Sequence, residues 1–176
     1  KESIHQTLDP SGRGDLLQVI NEETDRLNSF VESMVELARV EAGSDSETRG
    51  PVSVEGIISA AMERSEHLID GHHFDVRIDD RMPAVNADAK AIAEALYNIF
   101  DNAVKYSPED RVVQVSLALA GGHAVITIAD NGYGIPPEDF PPLFDRFFRG
   151  DRTRSTEGTG LGLPIAKSVL EAHGGS

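Results

Sequence analysis

Asn98 and Asn102, one helical turn apart and followed by Lys105, are residues whose types and spacing could do chemistry. They share one stripe of a helix, while Leu96, Ile99, Phe100 and Ala103 occupy the opposing stripe. A helix that needed only solubility would carry Glu and Lys, the better helix formers, on that polar side. Amide oxygens suit a hard cation such as Mg²⁺, which takes oxygen ligands and usually keeps several waters. Cap-like or merely solvated asparagines account for the helix as well, so taken alone it leaves both readings open.

Two glycine segments bear on the choice. The first, residues 130–136 (DNGYGIP), follows an apolar run, and Gly132 and Gly134 let the backbone turn tightly and come close to a ligand. Asp130, at the mouth of a sheet, offers carboxylate oxygens to an amine, although a purely structural turn explains this segment by itself. The second, residues 157–164 (EGTGLGLP), alternates Gly158, Gly160 and Gly162 with Thr159, Leu161 and Leu163 directly before an apolar-periodic helix carrying Ile165, Val169 and Leu170. Amides at a helix N-terminus point at a phosphate and the helix dipole adds to the attraction. Pro164 fits because the first turn has no use for its amide. No Gly-Lys-Ser/Thr follows and no βαβ unit precedes, which excludes a Walker loop and a dinucleotide fold. Between the segments lie Phe140, Phe144, Phe147 and Phe148, expected to be packing residues, with Arg146 among them as the functional candidate. The polar residues 150–157 could close over a bound nucleotide or form an ordinary loop.

The elements that must position these residues follow from periodicity. Residues 1–14 contain Pro10, Ser11 and Gly12 and read as a connection. From Asp15, an N-cap candidate, Leu16, Ile20, Thr24, Leu27, Val31, Met34 and Ala38 mark a heptad seam that predicts a helix over 15–43. Leu17, Phe30, Val35 and Leu37 widen that seam, which implies partner helices and a bundle. Residues 44–51 read as a linker to a globular domain over 52–176. A helix is expected over 54–67, a strand at Phe74, Val76 and Ile78, a short strand at 84–87, and Asp88 as the cap of the asparagine helix. Val113, Val115, Leu117 and Leu119 alternate, and Gly121-Gly122 turns the chain into a strand over 124–129. Strands paired by hairpins with helices between them imply an α+β two-layer sandwich.

Composition sets limits. A formal net charge of −14 over 176 residues argues against general nucleic-acid or acidic-membrane binding, though local amides can still hold an anion. The absence of cysteine rules out disulfides and thiolate metal sites. No apolar run approaches the roughly 20 residues that cross a bilayer, and the chain reads as a soluble piece of something longer.

Together these segments resemble the ATP-binding catalytic domain of the sensor histidine kinases of two-component systems, within the wider family shared with gyrase, Hsp90 and MutL. The resemblance covers residues 51–176 and rests on four motifs in order: residues 98–107 as the N box, 130–136 as the first glycine box, 144–148 as the F box, and 158–162 as the second glycine box. It implies a Bergerat sandwich with a mixed sheet that binds ATP and Mg²⁺. Asn102 would ligate the Mg²⁺ with Asn98 beside it, Lys105 and Tyr106 would face the nucleotide, and Asp130 would hold the adenine amine. Gly132, Gly134, Ile135, Phe147, Gly158, Thr159, Gly160, Leu161, Gly162 and Leu163 would line the site. Arg146 would approach the phosphates, and residues 149–157 would form the ATP lid. Asn98, Lys105 and Arg146 would be the catalytic set.

Residues 15–43 resemble the second helix of the dimerisation and histidine-phosphotransfer domain, which implies a homodimer. The helix that would carry the phosphoacceptor histidine is absent. His5 lacks its context, and His67, His72, His73, His123 and His173 share no metal-site spacing. The family pattern also continues beyond Gly175 with a further strand. The implied activity is transfer of the ATP γ-phosphate to a histidine outside this sequence, for relay to a response-regulator receiver domain. The implied location is cytoplasmic, without direct membrane contact by this chain. A related conformational ATPase is the first alternative, although Asn98 stands where those relatives have a glutamate, and Glu94 one turn upstream reads as a solvated residue. A non-catalytic nucleotide-binding or dimerisation module is the second.

Overall fold

The computed structural model describes residues 10–41, 48–65, 73–79, 82–108, 112–150 and 158–176, and in the first of these segments only part of the side chains. His5, His67, His72 and residues 42–47 and 151–157 lie outside them. Helix α1 spans Pro10–Glu41, beginning ahead of the expected start at Asp15. Proline is tolerated in a first helical turn, which has no need of its amide, so the turn signal at 10–12 is absorbed into the helix. The heptad seam is exposed along Leu16, Ile20, Leu27, Val31 and Met34. Of the residues that widen it, Leu17 and Val35 are exposed as well, and Phe30 and Leu37 are not. Leu37 is buried and Phe30 packs against the same core, so part of the α1 surface expected to meet other helices meets its own chain instead.

Strand β1, Gly50–Val52, takes up the end of the expected linker and pairs antiparallel with β3, Val85–Ala87. Helix α2 spans Val54–Arg64, short of the expected end at residue 67. Ser53 caps it by accepting from the Gly56 amide at 3.3 Å, and Ile57, Ile58 and Ala61 form its buried side. Strand β2, His73–Ile78, pairs parallel with β4, Val112–Ala120, which pairs antiparallel with β5, His123–Ala129. The hairpin expectation therefore holds for β4 and β5, where Gly121 and Gly122 adopt φ of 60° and 82°. It fails for β2, which reaches β4 through β3 and helix α3, Ala89–Lys105. Parallel neighbours need such a crossover because a tight turn can only reverse the chain.

The result is the expected mixed sheet with helices α2, α3 and α4, Gly162–Ala172, packed together. Phe100 of α3 is fully buried and meets Phe74 of β2 edge-on, with ring centroids 5.5 Å apart. Ile58, Val113, Val115, Leu161, Ile165 and Val169 complete the densest part of the core. Truncating a side chain such as Phe100 to alanine costs about 3–5 kcal/mol, a large share of the roughly 5–15 kcal/mol that holds a domain folded. Alternation in β4 outruns the core, since Leu119 is exposed. No helix among the described residues is long and apolar enough to cross a membrane.

Candidate functional site

Helix α3 sets the geometry of the site. Asp88 caps it as expected, its Oδ1 accepting from the amides of Lys90 at 2.9 Å and Ala91 at 3.0 Å. Thr48 donates its hydroxyl to Oδ2. Burial by itself would raise the Asp88 pKa, but the hydrogen bonds from Thr48, Ala91 and Lys90 outweigh it and hold the group below the ordinary carboxylate value. The Asp88 amide donates to His173 Nε2 at 3.0 Å, which ties the start of α3 to the end of α4.

Along the helix, the Asn98 side chain donates from Nδ2 to the Glu94 carbonyl at 3.1 Å. Its Oδ1 faces Gly162, where a Cβ would sit 3.2 Å from it. Asn98 thus lies, partly exposed, between its own helix and the first residue of α4. Asn102, one turn on, is half-buried. The Lys105 ammonium lies 2.5 Å from Asp101 Oδ2 on the same helix. Glu94 is not simply solvated either, since it pairs with Arg64 at 2.8 Å.

The end of α3 holds the first glycine segment. Tyr106 is the C-cap, and its carbonyl accepts from the Tyr133 amide at 3.1 Å. Asp130 Oδ1 accepts from the Gly132 amide at 2.8 Å, forming a turn closed by its own side chain. A Cβ on Gly132 would lie 2.5 Å from Tyr106 O, 2.7 Å from Asp130 Oδ1 and 3.1 Å from Ser107 Oγ, so only glycine fits. Gly134 differs: its φ is 68°, with open space where a Cβ would be. Tyr133 and Ile135 are exposed beside it.

The second glycine segment is pinned by the F box. The Phe147 amide donates to the Gly160 carbonyl at 3.0 Å, and a Cβ on Gly160 would meet backbone atoms of Phe147 and Phe148 at 2.9 Å. Phe147 adopts φ of 64°, which L side chains rarely do. Thr159 Oγ1 accepts from the Leu161 amide at 3.3 Å, Leu161 is buried, and α4 starts at Gly162 with no side-chain cap. Gly158, Thr159 and Leu163 are half-buried around that start. The phenylalanines are less internal than expected, for Phe140, Phe144 and Phe147 remain about half exposed. Phe144 lies under the Lys167 ammonium at 5.5 Å, and Phe147 stands 6.1 Å from Phe30 of α1. Arg146 is exposed on the same segment, and residues 151–157 of the expected lid lie outside the described residues.

The structure therefore joins all four motifs through three sets of contacts: Asn98 with Gly162, Tyr106 with Gly132 and Tyr133, and Phe147 with Gly160. Two features escaped the sequence reading. The buried Ser107 hydroxyl carries no signal beyond its place in the N box, and the junction of Thr48, Asp88 and His173 joins residues far apart in sequence.

An uncapped helix N-terminus stands beside an asparagine stripe on a mixed α+β sandwich, an arrangement suited to an anionic ligand. Residues 87–176 match the family described as histidine kinase-, DNA gyrase B- and HSP90-like ATPase, and the chain belongs to that family. Among curated relatives, the sensor-like histidine kinase SenX3 of Mycobacterium tuberculosis (strain ATCC 25618 / H37Rv) is 37% identical over 157 residues, covering 88% of this chain and 38% of its own length. The solved structure of the mycobacterial sensor histidine kinase MprB is 37% identical, with a TM-score of 0.64 over 73% of this chain and 82% of that one. Full-length ShkA in complex with AMPPNP gives a TM-score of 0.78 at 26% identity, covering 97% of this chain and 36% of that one. SenX3 and MprB are sensor histidine kinases, and the chain spans well under half the length of such relatives as SenX3.

Proposed function

We propose that this chain binds Mg·ATP between α3, the first glycine segment and the start of α4, and presents the γ-phosphate to a histidine on a helix outside this sequence. The observation that carries the reading is the seating of Asn98 against Gly162, which sets the polar stripe of α3 beside the uncapped N-terminus of α4. Phosphates fit that terminus because its amides and dipole attract anions. Asn102 is the Mg²⁺ ligand. Among the described residues no three of His, Cys, Asp and Glu are grouped to hold a metal, so the ion would rely on this amide, phosphate oxygens and water. Bound Mg²⁺ neutralises phosphate charge. Asp130, with one carboxylate oxygen on Gly132, has the other for the adenine amine.

Phosphoryl transfer needs an in-line nucleophile and cations on the phosphate oxygens rather than covalent chemistry by the protein. Lys105 and Arg146 are the side-chain cations assigned to that task. Lys105 must first leave Asp101, a small cost because partly exposed ion pairs are worth about 0–1 kcal/mol. Tyr106, Ile135, Phe147, Gly158 and Leu163 are the remaining residues assigned to the nucleotide, and residues 149–157, of which 151–157 lie outside the described residues, are assigned as its lid. The exposed seam of α1 supports a homodimer through residues 15–43, and the receiver domain of a response regulator is the onward partner. The activity belongs on the cytoplasmic side, whether or not the parent protein is membrane-anchored. Hydrolysis is disfavoured, because the Asn98 amide is occupied with Glu94 O and cannot take a proton from water as a carboxylate does.

The test is phosphate transfer from ATP to a supplied acceptor helix bearing an H-E/D-x-x-x-P pattern. Acid-labile label should appear on that helix only when this chain and Mg²⁺ are both present, and none should appear on this chain alone. Label on the isolated chain that disappears in His5→Gln would overturn the assignment of the acceptor, and steady hydrolysis insensitive to Asn98 would favour the ATPase reading.

A further inference from the structure

The Ser107 hydroxyl oxygen is buried with no hydrogen-bond partner, beside one of the tightest points of the site. A buried polar group left unpaired costs about 1–3 kcal/mol, and such groups are rare in folded proteins. Ser107 is held firmly. Its amide donates to the Val104 carbonyl at 3.2 Å, and the carbonyl of the preceding residue, Tyr106, takes the Tyr133 amide. Three oxygens border the space beside Gly132: Tyr106 O, Asp130 Oδ1 and Ser107 Oγ. Tyr106 O is paired with Tyr133 N, and Asp130 Oδ1 with Gly132 N. The serine alone has a donor to give. A carboxylate oxygen accepts more than one hydrogen bond, so Asp130 Oδ1 has capacity for it.

We infer that Ser107 is the positioning donor for Asp130: its hydroxyl gives a second hydrogen bond to Oδ1 when a nucleotide is bound, fixing the plane of the carboxylate so that Oδ2 meets the exocyclic amine of adenine. This rests on the reading of Asp130 as the adenine acceptor. Asp130 is exposed, and one hydrogen bond from Gly132 leaves its side chain free to rotate about that contact. A second donor on rigid backbone removes that freedom in the bound state, so the carboxylate meets the base in one orientation. Ser107 need not touch the base. Its effect passes through Asp130, so it governs which base is preferred and leaves the phosphate and Mg²⁺ contacts alone.

The experiment is calorimetric competition of ATP and GTP in Mg²⁺ for the parent, Ser107→Ala, Asp130→Asn and the double variant, with thermal unfolding as the folding control. Ser107→Ala should lose about tenfold in ATP affinity, the worth of a hydrogen bond to a charged group, with GTP affinity unchanged. The ratio of the two affinities is the readout, since a merely structural role would lower both together. The double variant should match Asp130→Asn, because a residue acting through Asp130 adds nothing once the carboxylate is gone. Should alanine fail to fold, Ser107→Cys, close in size but a weaker donor, must lower the same ratio. An unchanged ATP:GTP ratio in a folded Ser107 variant overturns the proposal while Asp130→Asn still shifts it. An unchanged ratio in Asp130→Asn itself overturns the adenine assignment instead.

Discussion

Replacing Gly132 by alanine tests the close approach on which the first glycine segment depends. The backbone there needs no left-handed conformation, so the cost is steric. An added methyl would lie 2.5 Å from Tyr106 O and 2.7 Å from Asp130 Oδ1. Tyr106 O is main chain at the end of α3 and already accepts from Tyr133 N at 3.1 Å, so it cannot retreat without stretching that bond. Overpacking costs about 1–3 kcal/mol and the lost hydrogen bond about 0.5–1.5 kcal/mol. The sum is about 2–4 kcal/mol, against the roughly 5–15 kcal/mol of a typical domain. Gly134→Ala is the matched control: nothing lies within 4 Å of its Cβ position, and its φ of 68° is the only penalty, about 1–2 kcal/mol. Urea unfolding at constant slope separates the two, since a domain of this size loses about 1–3 kcal/mol per molar urea. Gly132→Ala should shift the midpoint about twice as far as Gly134→Ala and also weaken ATP binding by displacing Asp130. Equal midpoints, or the reverse order, would refute the argument that contact at Gly132 outweighs dihedral strain at Gly134.

Three further outcomes follow from other parts of the site. Asn102→Ala should weaken ATP binding in Mg²⁺ but not in EDTA, because a lost amide ligand must be replaced by water; equal losses in both, by calorimetry, would remove Asn102 from the metal. Gly160→Ala should lower stability by about 2–4 kcal/mol, combining overpacking against Phe147 and Phe148 with left-handed strain, and an unchanged urea midpoint would contradict the packing of the F box on this glycine. Asp88 has a depressed folded pKa, so its stabilisation is fully present above about pH 4 and is lost as pH falls through the lower folded value. Asp88→Ala should cost about 0.5–2 kcal/mol at neutral pH and flatten the acid limb of the stability curve, whereas Asp88→Asn should keep the cap and lose the pH dependence.

Legibility in the sequence followed the length and regularity of each signal. Helix α3 declared itself through a sustained apolar stripe and an Asp88 cap, and β4 and β5 through alternation around Gly121-Gly122. Strand β1 did not, since Gly50–Val52 is too short to show a period and acquires its conformation only by pairing with β3. The parallel partner of β2 was hidden for a related reason: alternation marks a strand but carries no record of its neighbour. Phe140 and Phe144 were misjudged by residue type, because Pro141 and Pro142 hold that segment in a turn on the surface. The Lys105 pairing was legible and overlooked. The helical spacing that aligned Lys105 with the asparagines also sets it one turn after Asp101.

Helix α3 is the common reference for separate pieces of chain, and that arrangement constrains how the site could respond to signals. Its start is tied to Thr48 and to His173 through Asp88, its middle abuts Gly162 through Asn98, and its end grips Tyr133 through Tyr106. Helix α1 reaches this frame by another route, through Leu37 in the core and Phe30 beside Phe147. Phe147 in turn holds Gly160 by its amide, in a backbone conformation that costs energy for any side chain bearing a Cβ. A displacement of α1 relative to the domain therefore meets both α4, on which α1 packs directly, and the second glycine segment through the F box.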